Sequence, residues 1–318
     1  MTNKAHPIRG YVFIGSAALL WGVAATLGRA AFTGKLLPSG QALQPIDPLI
    51  LSQSRTTISF LVLLPVLLSR RGWRGLKLPA SDFRRALALG ILGVAASNYL
   101  YYLSIQKTNV ATAIVLQYTA PVLVLLYMVV RGLQRPTGQR VAAVVLAVLG
   151  SALAIGVVGA SGFRLNPIGV MAALLAAVSF AFYNIAGHRL LGRYDRWIVL
   201  LYTTFSAAAF WMFVNPPWRL AASHYSGEQW AFLAVFAVVS MLAPFSLYFA
   251  GLQYLEPTRA IVVSCLEPVF SIVLAALLLG EGLRPVQALG IVIVLAAIVI
   301  VQLPERVGGE ATIVEPIE

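Results

Sequence analysis

In 318 residues the chain carries 59% hydrophobic and only 11% charged residues, against roughly 25% charged in ordinary soluble domains. A soluble domain of this size needs a charged exterior that this sequence does not supply, so the chain is expected to lie in a bilayer. The net charge of +12 does not point to nucleic acid: the cations sit in short clusters between apolar runs, the pattern of cytoplasmic loops in membrane proteins.

Apolar runs between polar punctuation predict ten membrane-spanning helices. About 20 helical residues cross a 30 Å hydrocarbon core, and lipid offers backbone groups no other partner. In chain order the spans fall at 10–31, 48–68, 86–105, 111–130, 140–158, 168–187, 197–214, 230–251, 258–279 and 286–303. The first run continues through Trp21 to Arg29, too long for the core of a cleavable signal, and reads as a retained span. Tight turns are expected near Lys107–Asn109 and Glu256–Pro257, where the apolar stretch is too long for one helix. Residues 305–318, with Glu305, Glu310, Glu315 and Glu318, read as an acidic, solvated tail.

This order sorts the cations. Sixteen of the 23 Lys and Arg fall on the side of the N-terminus and tail, six on the other, and Arg55 lies within the second span. The bias places both termini in the cytoplasm and suits a bacterial inner membrane. The single cysteine, Cys265, excludes intrachain disulfides and the usual Cys-based zinc clusters. His6, His188 and His224 are too far apart for metal-ligand spacing, and no metal or cofactor is expected.

The chain also matches itself at an offset near 147. Tyr101, Gln106, Ala113, Ile114, Val115, Pro121 and Val122 meet Tyr248, Gln253, Ala260, Ile261, Val262, Pro268 and Val269. At offsets of 148 to 149, Asp47 meets Asp195, Thr56 meets Thr204 and Arg135–Pro136 meets Arg284–Pro285. Ala and Val matches are cheap among apolar helices; the Tyr, Gln and Pro matches are not. Each copy holds five spans, an odd number, so the second must cross the bilayer in the opposite sense. The fold class is therefore an all-α membrane protein of two inverted five-helix repeats, 1–158 and 159–304, ahead of the 305–318 tail. Inverted repeats characterise secondary transporters, with the substrate site near the midplane between the halves.

Two stretches carry a family resemblance. Cys-Leu-Glu-Pro-Val-Phe-Ser-Ile-Val-Leu-Ala-Ala-Leu-Leu-Leu-Gly-Glu at 265–281 has a mid-helix Glu-Pro and a terminal Gly-Glu, and Ala-Ala-Leu-Leu-Trp-Gly at 17–22 opens the first span. Both resemble the EamA type of the drug/metabolite transporter superfamily, over roughly 10–158 and 168–303. The first half departs from the pattern, with Ala120 opposite Glu267 and Gly132 opposite Glu281. The resemblance implies a ten-helix metabolite carrier, often an exporter, most similar to bacterial exporters of aromatic and other neutral amino acids.

Polar side chains inside spans are costly and face the bundle interior or a cavity. The third span is the densest, with Asn98, Tyr99, Tyr101, Tyr102, Ser104 and Gln106. Tyr99, Tyr102 and Gln106 share a face, and Asn98 with Tyr102 forms an i, i+4 pair; such a face suits a planar, partly apolar solute. An interfacial aromatic belt explains Tyr101, Tyr102 and Gln106 almost as well. Gln117, Tyr118 and Thr119 precede Pro121, which frees the carbonyl of Gln117, and Pro268 frees that of Ser264. Repeat-related weak points of this kind suit a hinge beside a central site, though membrane helices also tolerate proline for no functional reason. Glu267 is the one acid near a span centre: it either exchanges a proton during transport or stays neutral and structural, the simpler reading. Trp21, Asn184 and His188 are lesser candidates. Arg55 either meets Glu267 or a substrate carboxylate, or reaches the surface with its long side chain.

A secondary transporter of small metabolites, coupled to protons or facilitative, fits these features best. An intramembrane lipid-modifying enzyme needs a nucleophile, metal set or clustered acids at depth, and one Glu with one Cys does not meet that need. A channel usually shows polar rings or a filter segment, and no Gly-rich Lys-Ser/Thr nucleotide loop is present to imply an ATPase. The expected partners are a small-molecule substrate and the lipid bilayer, with no ATPase subunit implied, and a single copy of the chain is compatible with this arrangement.

Overall fold

The computed structural model describes residues 7–33, 44–108, 110–155, 166–279 and 284–303, and every regular element among them is a helix. The turn residue Asn109, the pair Gly280–Glu281 and the acidic tail lie outside the described residues. We number the membrane helices α1 (Pro7–Thr33), α2 (Pro48–Arg71), α3 (Ala80–Lys107), α4 (Val110–Gln117 with Ala120–Val130), α5 (Gly138–Ala154), α6 (Pro167–Leu191), α7 (Arg196–Val214), α8 (Gly227–Leu252), α9 (Pro257–Ser264 with Leu266–Leu279) and α10 (Pro285–Gln302). Nine of these contain segments long and apolar enough to cross a membrane. The other, α5, has 17 residues, about 26 Å of helix, at the short end of the spanning range.

The helix starts follow from local chemistry. Asp47, Asn166 and Asp195 each accept a backbone N–H two residues on, capping α2, α6 and α7. Capping satisfies donors that a helix start otherwise leaves orphaned. Pro48, Pro167, Pro257 and Pro285 stand in first turns, where a missing N–H costs nothing.

Two features depart from the expected spans. α3 and α8 begin earlier than expected, and each widens into a π turn, at Leu89–Ala95 and Val238–Leu242. A π turn inserts one residue into an α-helix, which hydropathy does not reveal. α4 and α9 are not continuous either. α4 breaks at Tyr118–Thr119 and α9 at Cys265, each just ahead of its proline, because proline has no N–H to carry the ladder through.

The packing is symmetric under exchange of each helix with the one five places on. α1 packs on α8 and α9, as α6 packs on α3 and α4; α2 packs on α8, as α7 packs on α3; α2 meets α7, and α5 meets α10. Small residues permit the closest of these approaches. A methyl added at Gly290 would lie 2.2 Å from the Ala154 nitrogen, and one at Gly150 would lie 2.8 Å from the Val294 nitrogen. The α5 and α10 backbones therefore touch, as small-residue contacts allow. Their outer faces, including Val145, Leu149, Val292 and Val299, are exposed, as lipid-facing residues should be.

Candidate substrate site

The halves enclose a central cavity of about 800 Å³ of atom-free space, its open mouth included. α1, α2, α3, α4, α6, α8 and α9 all contribute to its wall. Gly22 makes one side of it possible. A methyl there would lie 3.1 Å from the Ser271 nitrogen and 3.2 Å from the Glu267 carbonyl oxygen, so glycine lets α1 rest on α9 beside Trp21 at a distance that a larger residue would widen by a few tenths of an ångström.

Of the residues singled out in the sequence, Trp21, Asn98, Tyr102, Gln117, Tyr118, Pro121 and Glu267 line this cavity. Pro268 is buried next to Glu267 in the chain but does not reach the wall. Tyr99 does not belong to it: its ring packs on Trp211, with centroids 5.6 Å apart. The α3 face that meets the cavity is Ser97, Asn98, Tyr101, Tyr102 and Ile105. That face is the expected Tyr99–Tyr102–Gln106 face moved back by one residue. The π turn upstream changes the phase between the first part of α3 and the part that carries this face.

Arg55 is the main residue whose position the sequence left open. It does not reach the surface; it is only 4% exposed and lies on the cavity wall. Nη1 donates to the Tyr102 hydroxyl, and Nη2 donates to the Ser240 carbonyl in the π turn of α8. The rings of Tyr102, Phe236 and Phe245 surround it, with centroids 5.6, 5.7 and 5.9 Å from the guanidinium carbon. Its status as the one cation inside a span was the available signal. Phe180 and Phe245 complete the wall, and nothing distinguishes them in sequence from other apolar positions.

Glu267 faces the same cavity without an ion pair to Arg55. The Tyr118 hydroxyl lies 2.8 Å from Glu267 Oε2 and 3.1 Å from the Ser264 carbonyl oxygen. Ser264 is the residue whose carbonyl Pro268 leaves without its helical partner, so the break in α9 is bridged by the residue at the break in α4.

The cavity is closed at one end. Trp21 packs on Tyr248 at 5.1 Å and on Phe245 at 5.4 Å between ring centroids. Beneath it Tyr183 stacks on Phe249 at 5.2 Å, and the Tyr248 hydroxyl donates to Asn184 Oδ1. Further toward the basic loops, Gln134 donates to Glu256 at 2.8 Å, Thr258 donates to Gln134 at 2.7 Å, and Arg140 lies 3.3 Å from Glu256. These bonds tie the α4–α5 connection to the α8–α9 connection. At the other end the cavity extends past Gly28 to Phe32, whose ring also borders an outer cleft with Asp47, Arg219 and Tyr225.

Comparison with known proteins agrees with this architecture. The model of the EamA-like transporter family matches twice, over residues 8–156 and 167–303. The uncharacterized inner membrane transporter YicL of Salmonella typhimurium is 24% identical over 303 residues, covering 94% of this chain and 96% of YicL. The threonine/homoserine exporter RhtA of Escherichia coli K12 is 30% identical over 219 residues, covering 69% of this chain and 71% of RhtA. A crystal structure superposes with a TM-score of 0.73 at 18% identity, covering 92% of this chain and 97% of the other; at that identity the likeness speaks for the fold.

Proposed function

The chain belongs to the EamA-like transporter family, and from that premise we propose that this multi-pass membrane transporter exports small neutral amino acids, aromatic ones among them, by alternating access at the central cavity. The observation that carries the reading is the cavity itself: it lies between the halves, is sealed toward the basic loops and extends toward the opposite end. Its wall mixes aromatic rings with a few polar groups, the composition of a small-molecule site. The amino-acid substrate is supported by the likeness to RhtA. The basic loops mark the cytoplasmic side by the usual charge bias, so both termini face the cytoplasm of a bacterial inner membrane.

Trp21, Asn98, Tyr102, Gln117 and Tyr118 form the substrate wall in this reading, and the breaks before Pro121 and Pro268 are the hinges. For the cavity to open to the cytoplasm, Trp21 and the Glu256 ties must part, and α4 and α9 already lack continuous hydrogen bonding where they would bend. Glu267 is the proton site. The Tyr118 hydroxyl has one proton and two acceptors within reach, Glu267 and Ser264. When Glu267 is ionised it accepts the hydrogen bond from Tyr118 and the Ser264 carbonyl goes unserved. When Glu267 is protonated it donates to Tyr118, which donates to Ser264, and every group is satisfied, as buried polar groups require. Tyr118 thus ties the two breaks in both states, and the proton on Glu267 decides whether the Ser264 carbonyl at the α9 break is bonded or left free.

Purified protein in liposomes should carry labelled phenylalanine or threonine, faster with a proton gradient. Absence of flux for both would end the amino-acid reading. Glu267→Gln should retain flux and lose its response to the gradient; gradient-driven flux surviving in that variant would favour a different coupling group.

A further inference from the structure

Arg55 is a buried cation, and the polar groups around it are arranged for an anion. Its two terminal nitrogens are engaged by neutral acceptors, the Tyr102 hydroxyl and the Ser240 carbonyl, while Nε is buried without a hydrogen-bond partner. No acidic side chain among the described residues forms an ion pair with it. Glu267, on the same wall, acts on it electrostatically from beyond ion-pair distance. A charge removed from water without a close countercharge is costly, and an arginine inside a membrane protein ordinarily pairs or marks a substrate path. Two further donors sit on the same wall without a protein partner, the Asn98 amide nitrogen and the Tyr101 hydroxyl. They lie on the α3 face that carries Tyr102, the residue bonded to Arg55. The wall therefore carries a guanidinium, an amide N–H and a phenol O–H that can each donate, with the Arg55 Nε, the Asn98 amide nitrogen and the Tyr101 hydroxyl themselves buried, beside one carboxyl group, Glu267.

We propose that Arg55 is the anchor for a carboxylate on the transported solute, with Asn98 and Tyr101 completing the grip and Tyr102 and Ser240 positioning the guanidinium. A planar guanidinium recognises a carboxylate with more geometric specificity than an ammonium can. The specificity-determining group is thus the carboxylate, and the aromatic wall receives the rest of the molecule. Ser240 can serve because its carbonyl lies in a π turn, where the helical ladder is loosened and an oxygen can turn toward another helix. This inference narrows the amino-acid reading above and rests on the same cavity.

Three probes with one ring separate the groups: phenylalanine, phenylethylamine, which lacks the carboxylate, and 3-phenylpropionate, which lacks the ammonium. In liposomes the wild type should move phenylalanine at least tenfold faster than phenylethylamine. Arg55→Gln should lower phenylalanine flux at least tenfold and so narrow the advantage of phenylalanine over phenylethylamine. Tyr102→Phe, which keeps the ring on the wall and removes the hydroxyl that positions the guanidinium, should raise the KM for phenylalanine with little change in kcat. Equal wild-type flux of phenylalanine and phenylethylamine, or a folded Arg55→Gln protein with wild-type phenylalanine flux, overturns the proposal. Melting of the wild type in detergent provides a second readout that needs no variant and no flux. Here 3-phenylpropionate should raise the Tm and phenylethylamine should not; the reverse, or no shift with 3-phenylpropionate, overturns it. If no amino acid is transported but 3-phenylpropionate stabilises the protein, the amino-acid reading falls and the carboxylate anchor stands.

Discussion

In α4 the chain breaks at Tyr118–Thr119 ahead of Pro121, and in α9 it breaks at Cys265 ahead of Pro268. The two helices are the same design in the two halves, yet Ala120 in one stands where Glu267 stands in the other. A second pair of helices shows the converse. Arg55 of α2 contacts the π turn of α8 through Ser240, while Thr203, 148 residues on, places its carbonyl against Gly90 in the π turn of α3. Packing partners, breaks and widened turns are repeated; the charges on the cavity wall are not. The cation comes from one copy and the acid from the other, so the symmetric frame encloses an asymmetric site.

That contrast can be tested by making the halves more alike. Glu267→Ala gives α9 the residue of α4 and removes a buried hydrogen-bonded acid. Losses of this kind run to a few kcal/mol, so flux per folded molecule should fall on the order of 100-fold in liposomes. If it stays near wild type, the asymmetry has no role in transport. Gly290→Ala tests the frame instead. Its methyl would collide with the α5 backbone, overpacking that costs about 1–3 kcal/mol, so the Tm should drop while flux per folded molecule persists. Tyr118→Phe keeps the ring and removes the hydroxyl that joins the two breaks. It leaves buried acceptors unserved at about 1–2 kcal/mol, and transport should weaken roughly tenfold. Tyr99→Phe should leave flux unchanged, because Tyr99 rests on Trp211; a loss equal to that of Tyr101→Phe would show that the wrong α3 face has been assigned.

The spans, the repeat and the paired prolines were legible in the sequence because each leaves a mark on residue type: long apolar runs, matched Tyr, Gln and Pro, and a missing N–H. The membership of Trp21, Gln117, Tyr118 and Glu267 in one cavity followed from polar or bulky residues near span centres. What stayed hidden was phase. The π turns in α3 and α8 consist mostly of ordinary apolar residues, and hydropathy does not tell that Tyr101 rather than Tyr99 faces the cavity. The same turn in α8 presents the Ser240 carbonyl, and backbone acceptors carry no side-chain signature. Arg55 was visible as an odd residue, but surface reach and burial differ only through the rings of Phe236 and Phe245, which arrive from far along the chain.

The distance between Arg55 and those partners also bears on biogenesis. α2 must enter the membrane with an arginine about a third of the way along it, a residue that disfavours insertion by about 2.5–3.5 kcal/mol at a helix centre and by less toward the ends. Tyr102 follows within the same half, but Ser240 lies 185 residues downstream. At 5–20 residues per second the ribosome reaches it on the order of ten seconds or more later. During that interval the guanidinium has to be tolerated by lipid headgroups or water. A fragment ending after α5 would retain that unfavourable state permanently, so the first five helices should be poor at inserting and folding alone.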